Sequence, residues 1–432
     1  MIEVQPLRQP WRQPNPLLAA FIAACMLCGT AVLQALLSAP LPAQVAASEA
    51  HAPQQDTARP QVLFLTHSAG FAHEVVKRPA TGLAIAETEL SAFAAPAFRV
   101  RCTQDCGEIN AAALRDVRVV VFYTTGELPI SEANRAALLA FVREGGGFVG
   151  IHCATDTFYE WNEFGQFIGG RFDGHPWHQE VGVLVEDAAH PANAGLGAAF
   201  RIHDEIYQHR ELTRSKLSVL LRLDPKSVDI ARGRHADGEH PLSWCSAYGK
   251  GRVFYTALGH RPEVWKDERF RRHVLEGLRW AAGLEQPQPA PPNATQLLIE
   301  AALSGVALPG GGDGTLHLEF EAPDAAALGQ VRLGAGATIH LSGRVDAAPL
   351  ADSCGAIVGV AAPSVLAQRA GWQTLDVVTR RDSAGLRRIT IALNGTPVHT
   401  YVALPAPAQE MRLQCSGTSL RFRNIWFVAR TT

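Results

Sequence analysis

Short apolar runs that stop abruptly at polar or glycine residues constrain the fold of the first half of this chain. Such runs occupy residues 61–66, 117–123 and 148–152. Their lengths are typical of strands buried on both faces, and two segments of helical composition, 79–93 and 131–144, separate them. The first helix carries Glu87 and Glu89 on an expected solvated face, and the second opens with the capping residue Ser131. This alternation predicts a doubly wound, parallel α/β sheet.

Length and composition set the number of domains and exclude some partners. The chain has 432 residues, more than the roughly 250–300 at which one hydrophobic core stops growing, so we expect two folded domains with accessory segments. Hydrophobic residues make up 47% and charged residues 19%, which is typical of globular rather than disordered chains. The net charge is −2 and no segment is rich in Lys and Arg, so we expect no nucleic-acid partner.

The N-terminal region has the features of an export signal. Arg8 and Arg12 precede an apolar run over residues 17–37. Because this run is long enough to span a bilayer as a helix, residues 1–47 are predicted to be a signal peptide or a membrane anchor, followed by a spacer over 48–60. We therefore expect a periplasmic or secreted protein, which is anchored in the membrane if the leader is retained.

Six cysteines lie beyond residue 47. In an oxidising compartment Cys102 could pair with Cys106, and Cys354 with Cys415. Their spacing matches no metal-cluster motif, so we expect one or two disulfide bonds at most.

Histidines and acidic residues follow several predicted strands of the first domain. A strand at 217–223, a strand at 252–258 and a closing helix at 262–284 complete this domain. The polar groups that follow or separate its strands are His67, Thr125, 152–156, 169–178, 204–207 and His260. Ligands of parallel sheets bind beyond the carboxyl ends of the strands. Most of the 16 histidines lie between His67 and His260, so we expect one site at this edge.

Four separated motifs resemble the trehalose-utilisation ThuA-like family in their order along the chain. They occupy 66–73, 147–156, 174–178 and 254–260. The resemblance covers about 61–284 and implies a fold similar to that of class I glutamine amidotransferases. It also implies a role in sugar metabolism, notably of trehalose and 3-keto disaccharides.

Cys153 is the nucleophile that the amidotransferase resemblance suggests, with His178 and Glu180 as base and orienter. A strained nucleophile turn needs small residues two positions to either side. Ile151 and Thr155 stand there instead, so we expect Cys153 to be a packed thiol beside the site.

A divalent metal such as zinc is a second alternative, and with it a metal-dependent hydrolase. The imidazole and carboxylate ligands on offer are His67, His152, His175, His178, His260 and Asp156. His175 and His178 lie on a loop that contains Pro176, without the helical i, i+4 spacing of zincins. The sequence therefore assigns no cofactor.

Acid/base catalysis on a small-molecule sugar is the interpretation we favour. The predicted catalytic residues are His152 and Asp156, as a base and its orienter, and His178 and His260, as proton donors with exchangeable roles. The predicted substrate-binding residues are His67, His175, Trp177, Glu205, Tyr207 and Trp244. Aromatic rings suit the C–H faces of a sugar, and the polar groups suit its hydroxyls.

A 3-keto sugar carries an acidified hydrogen next to its carbonyl group. A neutral imidazole or a carboxylate could remove this hydrogen while another histidine donates to the developing enolate. Elimination of the glycosidic leaving group, isomerisation or hydrolysis would follow. The alternative from a different class is a carbohydrate-binding module without catalytic activity.

The pattern changes in the second half of the chain. A Pro- and Gly-rich segment at 285–314 predicts a linker, and many short strands follow it. Asn394 and Gly395 predict a hairpin turn, because both residues tolerate positive φ. These strands predict an antiparallel β-sandwich over 315–430.

Motifs in this second domain are similar to the 3-keto-disaccharide hydrolase family, which has a concanavalin-like jelly roll. They occupy 355–363, 371–374, 393–395 and 420–425. The acidic strand residues that the family carries before residue 355 are replaced at 343–349. The resemblance with this departure favours sugar binding or domain packing over hydrolysis.

Overall fold

The computed structural model describes residues 59–234, 239–284, 290–298, 305–334, 337–368, 371–404 and 412–430. The predicted leader at 1–47 and nearly all of the predicted spacer lie outside the described residues. Residues Thr57–Thr432 form one compact unit. Within the described ranges, no helix combines the length and the apolar character needed to cross a membrane.

An α/β region fills the first half of the described chain. Its strands are β1 (Gln61–Leu65), β2 (Arg99–Thr103), β3 (Val117–Phe122), β4 (Gly147–Ile151), β5 (Arg171–Phe172), β6 (Trp177–Val185), β7 (Ala199–Ile206), β8 (His209–Arg210), β9 (Ser218–Leu223), β10 (Pro241–Tyr248) and β11 (Gly251–Thr256). Its helices are α1 (Ile85–Ala94), α2 (Glu132–Arg143), α3 (Asn162–Ile168), α4 (Pro262–Lys266) and α5 (Glu268–Ala282). Nine strands form one sheet in the order β2-β1-β3-β4-β11-β10-β9-β6-β7, and β5 pairs with β8 separately.

The large sheet is parallel on one side and antiparallel on the other. Strands β2, β1, β3, β4 and β11 pair in parallel, and the remaining neighbours pair antiparallel. The switch falls at β11 because Gly249, with φ +61°, and Lys250 connect it to β10, and so short a connection can join only antiparallel strands. The predicted α/β class is confirmed, whereas the sheet is mixed rather than parallel throughout.

Glu87 of α1 is buried, although the helical pattern put it on a solvated face. Its carboxylate accepts hydrogen bonds from Arg78 Nε at 2.8 Å, from the Thr66 hydroxyl at 2.6 Å and from the Ala84 backbone N–H at 2.9 Å. These donors satisfy the buried charge and tie the start of α1 to the end of β1. The helix therefore begins at Ile85, later than the expected 79.

Helix ends follow the capping residues that the sequence offers. Ser131 caps α2 by accepting a hydrogen bond from the Asn134 backbone N–H, as predicted. Asp267 likewise caps α5 by accepting from the Arg269 N–H at 2.8 Å. This second cap divides the single closing helix expected over 262–284 into α4 and α5.

The C-terminal β region consists mainly of strands in two sheets. Its strands are β12 (Thr295–Gln296), β13 (Val306–Ala307), β14 (Gly314–Glu321), β15 (Leu328–Leu333), β16 (Ala337–Ser342), β17 (Trp372–Arg381), β18 (Arg387–Leu393), β19 (Thr396–Ala403), β20 (Arg412–Thr418) and β21 (Arg421–Ala429). The sheet orders are β12-β21-β14-β17-β18-β19 and β13-β20-β15-β16. Side chains from both sheets, such as Leu318 and Ile339, share one core.

In this region the predicted hairpin turn is present, and the predicted linker contains two short strands. Asn394 and Gly395 form the turn between β18 and β19 with φ values of +50° and +70°, so the predicted hairpin is confirmed. Strands β12 and β13 lie within the segment 285–314, where we expected a Pro- and Gly-rich linker. They pair with β21 and β20, so part of this segment belongs to the sheets.

Glu186 of the α/β region is buried where the two regions meet. Its carboxylate pairs with Arg214 and, at 3.0 Å, with Arg380 of the C-terminal β region. Arg430 donates to the Glu186 backbone carbonyl at 3.1 Å. Burial alone would raise the pKa of Glu186, but Arg214, Arg380, Arg430 and Arg222 outweigh it and lower the pKa to about 2. An ionised carboxylate thus joins the two regions.

The cysteines within the described residues are free thiols, so the expected disulfide bonds are not formed there. Cys106, Cys354 and Cys415 are buried, and Cys102 is half-buried. Burial raises the pKa of Cys354 to about 11 and that of Cys415 to about 12. These residues act as small packing groups.

Candidate functional site

His152 follows β4 directly and adopts a left-handed backbone conformation, with φ +47°. A residue other than glycine rarely takes this conformation, and the surrounding structure must hold it. The His152 carbonyl accepts a hydrogen bond from the Tyr255 hydroxyl at 2.7 Å, and Nδ1 lies 2.7 Å from the Ala257 carbonyl oxygen. Because a carbonyl oxygen only accepts, Nδ1 carries a proton, so in the neutral form of the ring Nε2 presents the lone pair.

His260 lies in the loop after β11, which Asp204 of β7 holds in place. The Asp204 carboxylate accepts hydrogen bonds from the backbone N–H groups of Gly259 at 2.7 Å and Arg261 at 3.2 Å, which flank His260. His260 Nδ1 consequently lies 3.2 Å from His152 Nε2. Asp204 is fully buried, and burial raises its pKa.

Glu205, the next residue on β7, brings a carboxylate to these two imidazoles. Its Oε2 lies 3.0 Å from His260 Nδ1 and 3.5 Å from His152 Nε2. Strand β7 is at one end of the strand order, five positions from β4. The sheet must therefore curl for these side chains to meet.

A third imidazole, that of His73, approaches from the loop after β1. Its ring packs edge-on against the rings of His152 and His260, with centroids 5.0 and 5.1 Å apart. Its Nδ1 is buried and has no hydrogen-bond partner among the described residues. One potential ligand atom from each of His73, His152, Glu205 and His260 lies within 4.8 Å of the others. We call these four residues the imidazole cluster.

His175 and His178 lie on the exposed side of the imidazole cluster. Their Nδ1 atoms are 3.3 and 4.0 Å from Glu205 Oε1. The side chains of His175 and His178 are 52% and 42% exposed, whereas that of His152 is fully buried. The imidazole cluster therefore lies next to solvent-exposed side chains, and the side chain of His260 is itself 22% exposed.

Burial and mutual charges shift the pKa values of the imidazole cluster. Burial would raise the pKa of Glu205, but hydrogen bonds and charges from His152 and His260 outweigh it and hold the pKa well below its usual value. Burial, with the charges of His152 and His260, lowers the pKa of His73 to about 3. For His260, the bond to Glu205 outweighs burial and raises the pKa. An ionised carboxylate thus lies among imidazoles, of which His73 is neutral.

Cys153 lacks the surroundings of a nucleophile. It is buried, and burial raises the pKa of its thiol well above the usual value. Glu180 pairs with Arg201 at 2.8 Å on an exposed part of β6. These contacts support the interpretation of Cys153 as a packed thiol.

Asp156 and His67 have other partners than the imidazole cluster. The Asp156 carboxylate accepts a hydrogen bond from the Tyr159 hydroxyl, while the group that orients His152 is a backbone carbonyl. Burial raises the pKa of Asp156. His67 Nδ1 lies 2.8 Å from the Gln104 carbonyl oxygen.

Trp177 and Trp244 lie in the core, where we expected faces for sugar stacking. Both rings are fully buried, and their indole N–H groups donate to backbone carbonyls. An enclosed ring offers no free face to a sugar, so both residues act in packing. Tyr207 is also buried, and its ring lies 4.2 Å from that of His152, forming part of the wall of the imidazole cluster.

The structure adds two residues that the sequence analysis did not single out. His73 ends the 66–73 motif, which is the signal that could have identified it. Phe71, from the same motif, has a ring that is 66% exposed and 4.9 Å from that of His73. Both residues lie in a loop, where no periodicity marks a functional side chain.

Two cavities lie between the α/β region and the C-terminal β region. Their volumes are about 490 and 460 Å³. Lys216 and Thr400 line the first, and Arg210 and Asp382 line the second. The imidazole cluster lies outside both linings, so convergence of titratable groups, and not cavity depth, defines the candidate site.

Fold and site together define an α/β protein that gathers imidazoles and a carboxylate at the carboxyl edge of its sheet. Residues 61–281, just over half of the chain, match the ThuA family, which is described as trehalose utilisation. The chain therefore belongs to the ThuA family. No curated protein gives a significant match to it.

Solved structures that resemble this chain include two ThuA-like proteins. The one from Parabacteroides merdae is 20% identical with a TM-score of 0.44, and the match covers 54% of this chain and 94% of that one. The one from Bacteroides uniformis is 23% identical with a TM-score of 0.41, covering 54% and 96%. A β-galactosidase from Bacillus circulans is 12% identical with a TM-score of 0.32, covering 66% and 40%.

Proposed function

We propose that the α/β region processes a disaccharide or 3-keto-glycoside by acid/base chemistry at the imidazole cluster. The observation that carries this proposal is the approach of His260 and His152 to Glu205, at 3.0 and 3.5 Å, next to the exposed side chains of His175 and His178. A proton acceptor and several proton donors thus lie within reach of one sugar ring. The family's description as trehalose utilisation supports a sugar as the substrate.

The chemistry follows from the acidity of a carbon next to a ketone. In a 3-keto-glycoside, a carboxylate or a neutral imidazole takes the proton from C2. The electron pair of the broken C–H bond forms an enolate, whose oxygen accepts a hydrogen bond from an imidazole N–H. The enolate then expels the glycosidic oxygen from C1, and this oxygen takes a proton and leaves as an alcohol. Because the C2 hydrogen of an unoxidised sugar is not acidified, the keto form should react faster.

Phe71 supplies the aromatic surface that the buried tryptophans do not. Its ring is 66% exposed and stands edge-on to the ring of His73. In the proposed complex the C–H face of the sugar packs on Phe71, while the hydroxyls on its other edge bond to His175 and His178.

Three finer proposals rest on separate observations. The left-handed turn at His152 supports an amidotransferase-like fold, because a reactive residue on a strained turn after a strand is the nucleophile-elbow arrangement. Two antiparallel sheets around one core support a jelly-roll domain over 315–430 that resembles 3-keto-disaccharide hydrolases. The apolar run at 17–37 supports export, with the leader either cleaved or retained as an anchor.

Incubation of the full chain with 3-keto-trehalose and with trehalose, followed by mass spectrometry, tests the proposed function. The keto sugar should yield a cleaved or isomerised product, and trehalose should react more slowly. Glu205→Gln keeps the size of the side chain and removes its negative charge. Turnover of the keto sugar should then fall by about 100-fold or more, which is the range of general acid/base catalysis.

Glu180→Gln is the matched control, because the same change removes an exposed carboxylate from the neighbouring strand β6. It should retain turnover, as should Cys153→Ala. Sugar binding without any product would overturn the proposal in favour of a carbohydrate-binding module. A loss in Cys153→Ala equal to that in Glu205→Gln would overturn it in favour of a nucleophile.

A further inference from the structure

Three potential ligand atoms of the imidazole cluster form a triangle of the size that a metal ion imposes. His152 Nε2, His260 Nδ1 and Glu205 Oε2 are 3.2, 3.0 and 3.5 Å apart. In a tetrahedral zinc site, metal–ligand distances of about 2.0–2.1 Å place neighbouring ligand atoms roughly 3.3 Å from one another. A nitrogen of His73 completes a set of four within 4.8 Å. The three atoms of the triangle are thus spaced as ligands of one ion would be, and His73 is close enough to join them.

The three atoms of this triangle cannot all be paired by the hydrogen bonds among them. Because His152 Nδ1 donates to the Ala257 carbonyl, Nε2 is an acceptor in the neutral form of the ring, as are the oxygens of Glu205. His260 Nδ1 lies between these two acceptors, at 3.2 and 3.0 Å, and a single N–H cannot point at both. A cation at the centre of the triangle would satisfy all three atoms together.

The groups that hold His152 and His260 in place resemble those that orient the ligands of metal sites. A ligating histidine commonly donates its other ring N–H to a backbone carbonyl, which is the bond that His152 makes to Ala257. The loop that carries His260 is fixed on both sides of it by Asp204. A separate observation concerns His73, which is 3% exposed and whose Nδ1 finds no hydrogen-bond partner among the described residues.

We propose that His73, His152, His260 and Glu205 bind one divalent first-row transition-metal ion, with zinc as the best-suited ion. Three imidazoles and one carboxylate favour zinc and its neighbours over calcium or magnesium, which prefer oxygen ligands. The ion lies next to the exposed side chains of His175 and His178, where it can polarise a carbonyl oxygen of a bound substrate. With the ion bound, His175 and His178 are the neighbouring imidazoles that remain free to carry protons for the proposed sugar chemistry. Ion binding is measured without any sugar, so the two proposals can fail separately.

Titration of chelator-treated full chain with Zn²⁺ and with Co²⁺ tests the proposal. Calorimetry should give one ion per chain, and Co²⁺ should produce the visible d–d absorption of a nitrogen-rich site of low coordination number. Glu205→Gln and His260→Ala each remove one ligand. Loss of a group that only hydrogen-bonds to a metal ligand lowers metal affinity by roughly 10–100-fold. Loss of a ligand itself should lower the affinity for Zn²⁺ by more than this, and the cobalt spectrum should change.

His203→Ala is the matched control, because it removes an exposed imidazole from β7, the strand that carries Glu205. It should retain both affinity and spectrum. Thermal unfolding of each variant without metal shows whether the fold persists, and Glu205→Gln keeps the shape of the side chain in case His260→Ala does not fold. If the unsubstituted chain binds no metal ion, the proposal is overturned. The imidazole cluster would then be held together by hydrogen bonds alone. An unchanged affinity and cobalt spectrum in Glu205→Gln also overturns it.

Discussion

His260 of the α/β region and His317 of the C-terminal β region each bond to a carboxylate, but they do so in different surroundings. His317 Nδ1 lies 2.5 Å from Asp376 Oδ1, and its buried ring stacks on Trp426 with centroids 4.7 Å apart. Glu205 instead receives His260 and His152 together, next to the exposed side chain of His175. A one-to-one pair stacked on a tryptophan stabilises the fold, whereas several imidazoles that converge on one carboxylate beside exposed histidines are suited to chemistry.

The largest expected difference between the two histidines is in turnover. His260→Gln should reduce turnover of a 3-keto-glycoside by about 100-fold or more, because it removes a group that contacts the reacting atoms. His317→Gln should leave turnover within about twofold, since His317 lies in the other region. The steady-state rates of the two variants are compared at equal concentrations of folded protein. Equal losses of turnover would mean that His260 affects turnover only by stabilising the fold.

Stability should show the opposite order. Burial would lower the pKa of His317, but Asp376 outweighs burial and raises it. Asp376→Asn removes the carboxylate that favours the protonated form of the buried His317 ring and should reduce the free energy of unfolding by roughly 3 kcal/mol. Glu205→Gln should cost less, because its amide oxygen still accepts from His260. Denaturant unfolding measures both.

Asp352→Asn is the control for Asp376→Asn, because the Asp352 side chain is 58% exposed and pairs with Arg344 at 3.0 Å. Its expected cost is below about 1 kcal/mol, as for other surface pairs. If Asp352→Asn and Asp376→Asn cost the same, enclosure of the pair does not matter and the contrast with Glu205 is lost.

His273 of α5 is a third kind of histidine, buried with the Ala192 carbonyl and the Ser243 hydroxyl as its partners, and its expected effect is smaller than that of Asp376→Asn. Burial lowers its pKa from 6.5 to about 4. The unfolded chain therefore binds more protons than the folded chain between these values, so stability falls as the pH drops through this window. His273 alone should lower the free energy of unfolding by about 2 kcal/mol as the pH falls from about 6.5 to 4.5. His273→Asn should remove this contribution from the pH dependence of unfolding, and an unchanged slope would contradict it.

The elements of the first half could be predicted because their signals are local. Strands β1, β3 and β4 are uninterrupted apolar runs, and α2 starts at its cap Ser131. Strands β6 and β7 were not predicted, because polar residues such as Gln179 and Asp204 interrupt their apolar pattern. The burial of Glu87 was also missed, since it depends on Arg78 and Thr66, which only the tertiary fold brings to it.

The residue types of the candidate site could be predicted from the sequence, but most of the contacts between them could not. Proximity in sequence suggested Asp156 as the carboxylate partner of His152, whereas the closest carboxylate contact is with Glu205 on a distant strand. That contact requires the curl of the sheet, which no local pattern encodes. His73 lies in a loop, and its role becomes visible only once β1 and β4 are neighbours of β3.

Glu186 limits how the protein can be divided for further study. A truncated chain that ends near residue 284 keeps Arg214 and Arg222 but discards Arg380 and Arg430, two of the four cations around this carboxylate. The fragment would display a fresh surface of unbalanced charge and stripped apolar contacts, with a tendency to associate with itself. The region that matches the ThuA family is therefore best produced together with the C-terminal β region. Aggregation of the fragment would result from the truncation and would not show that the ThuA fold is unstable.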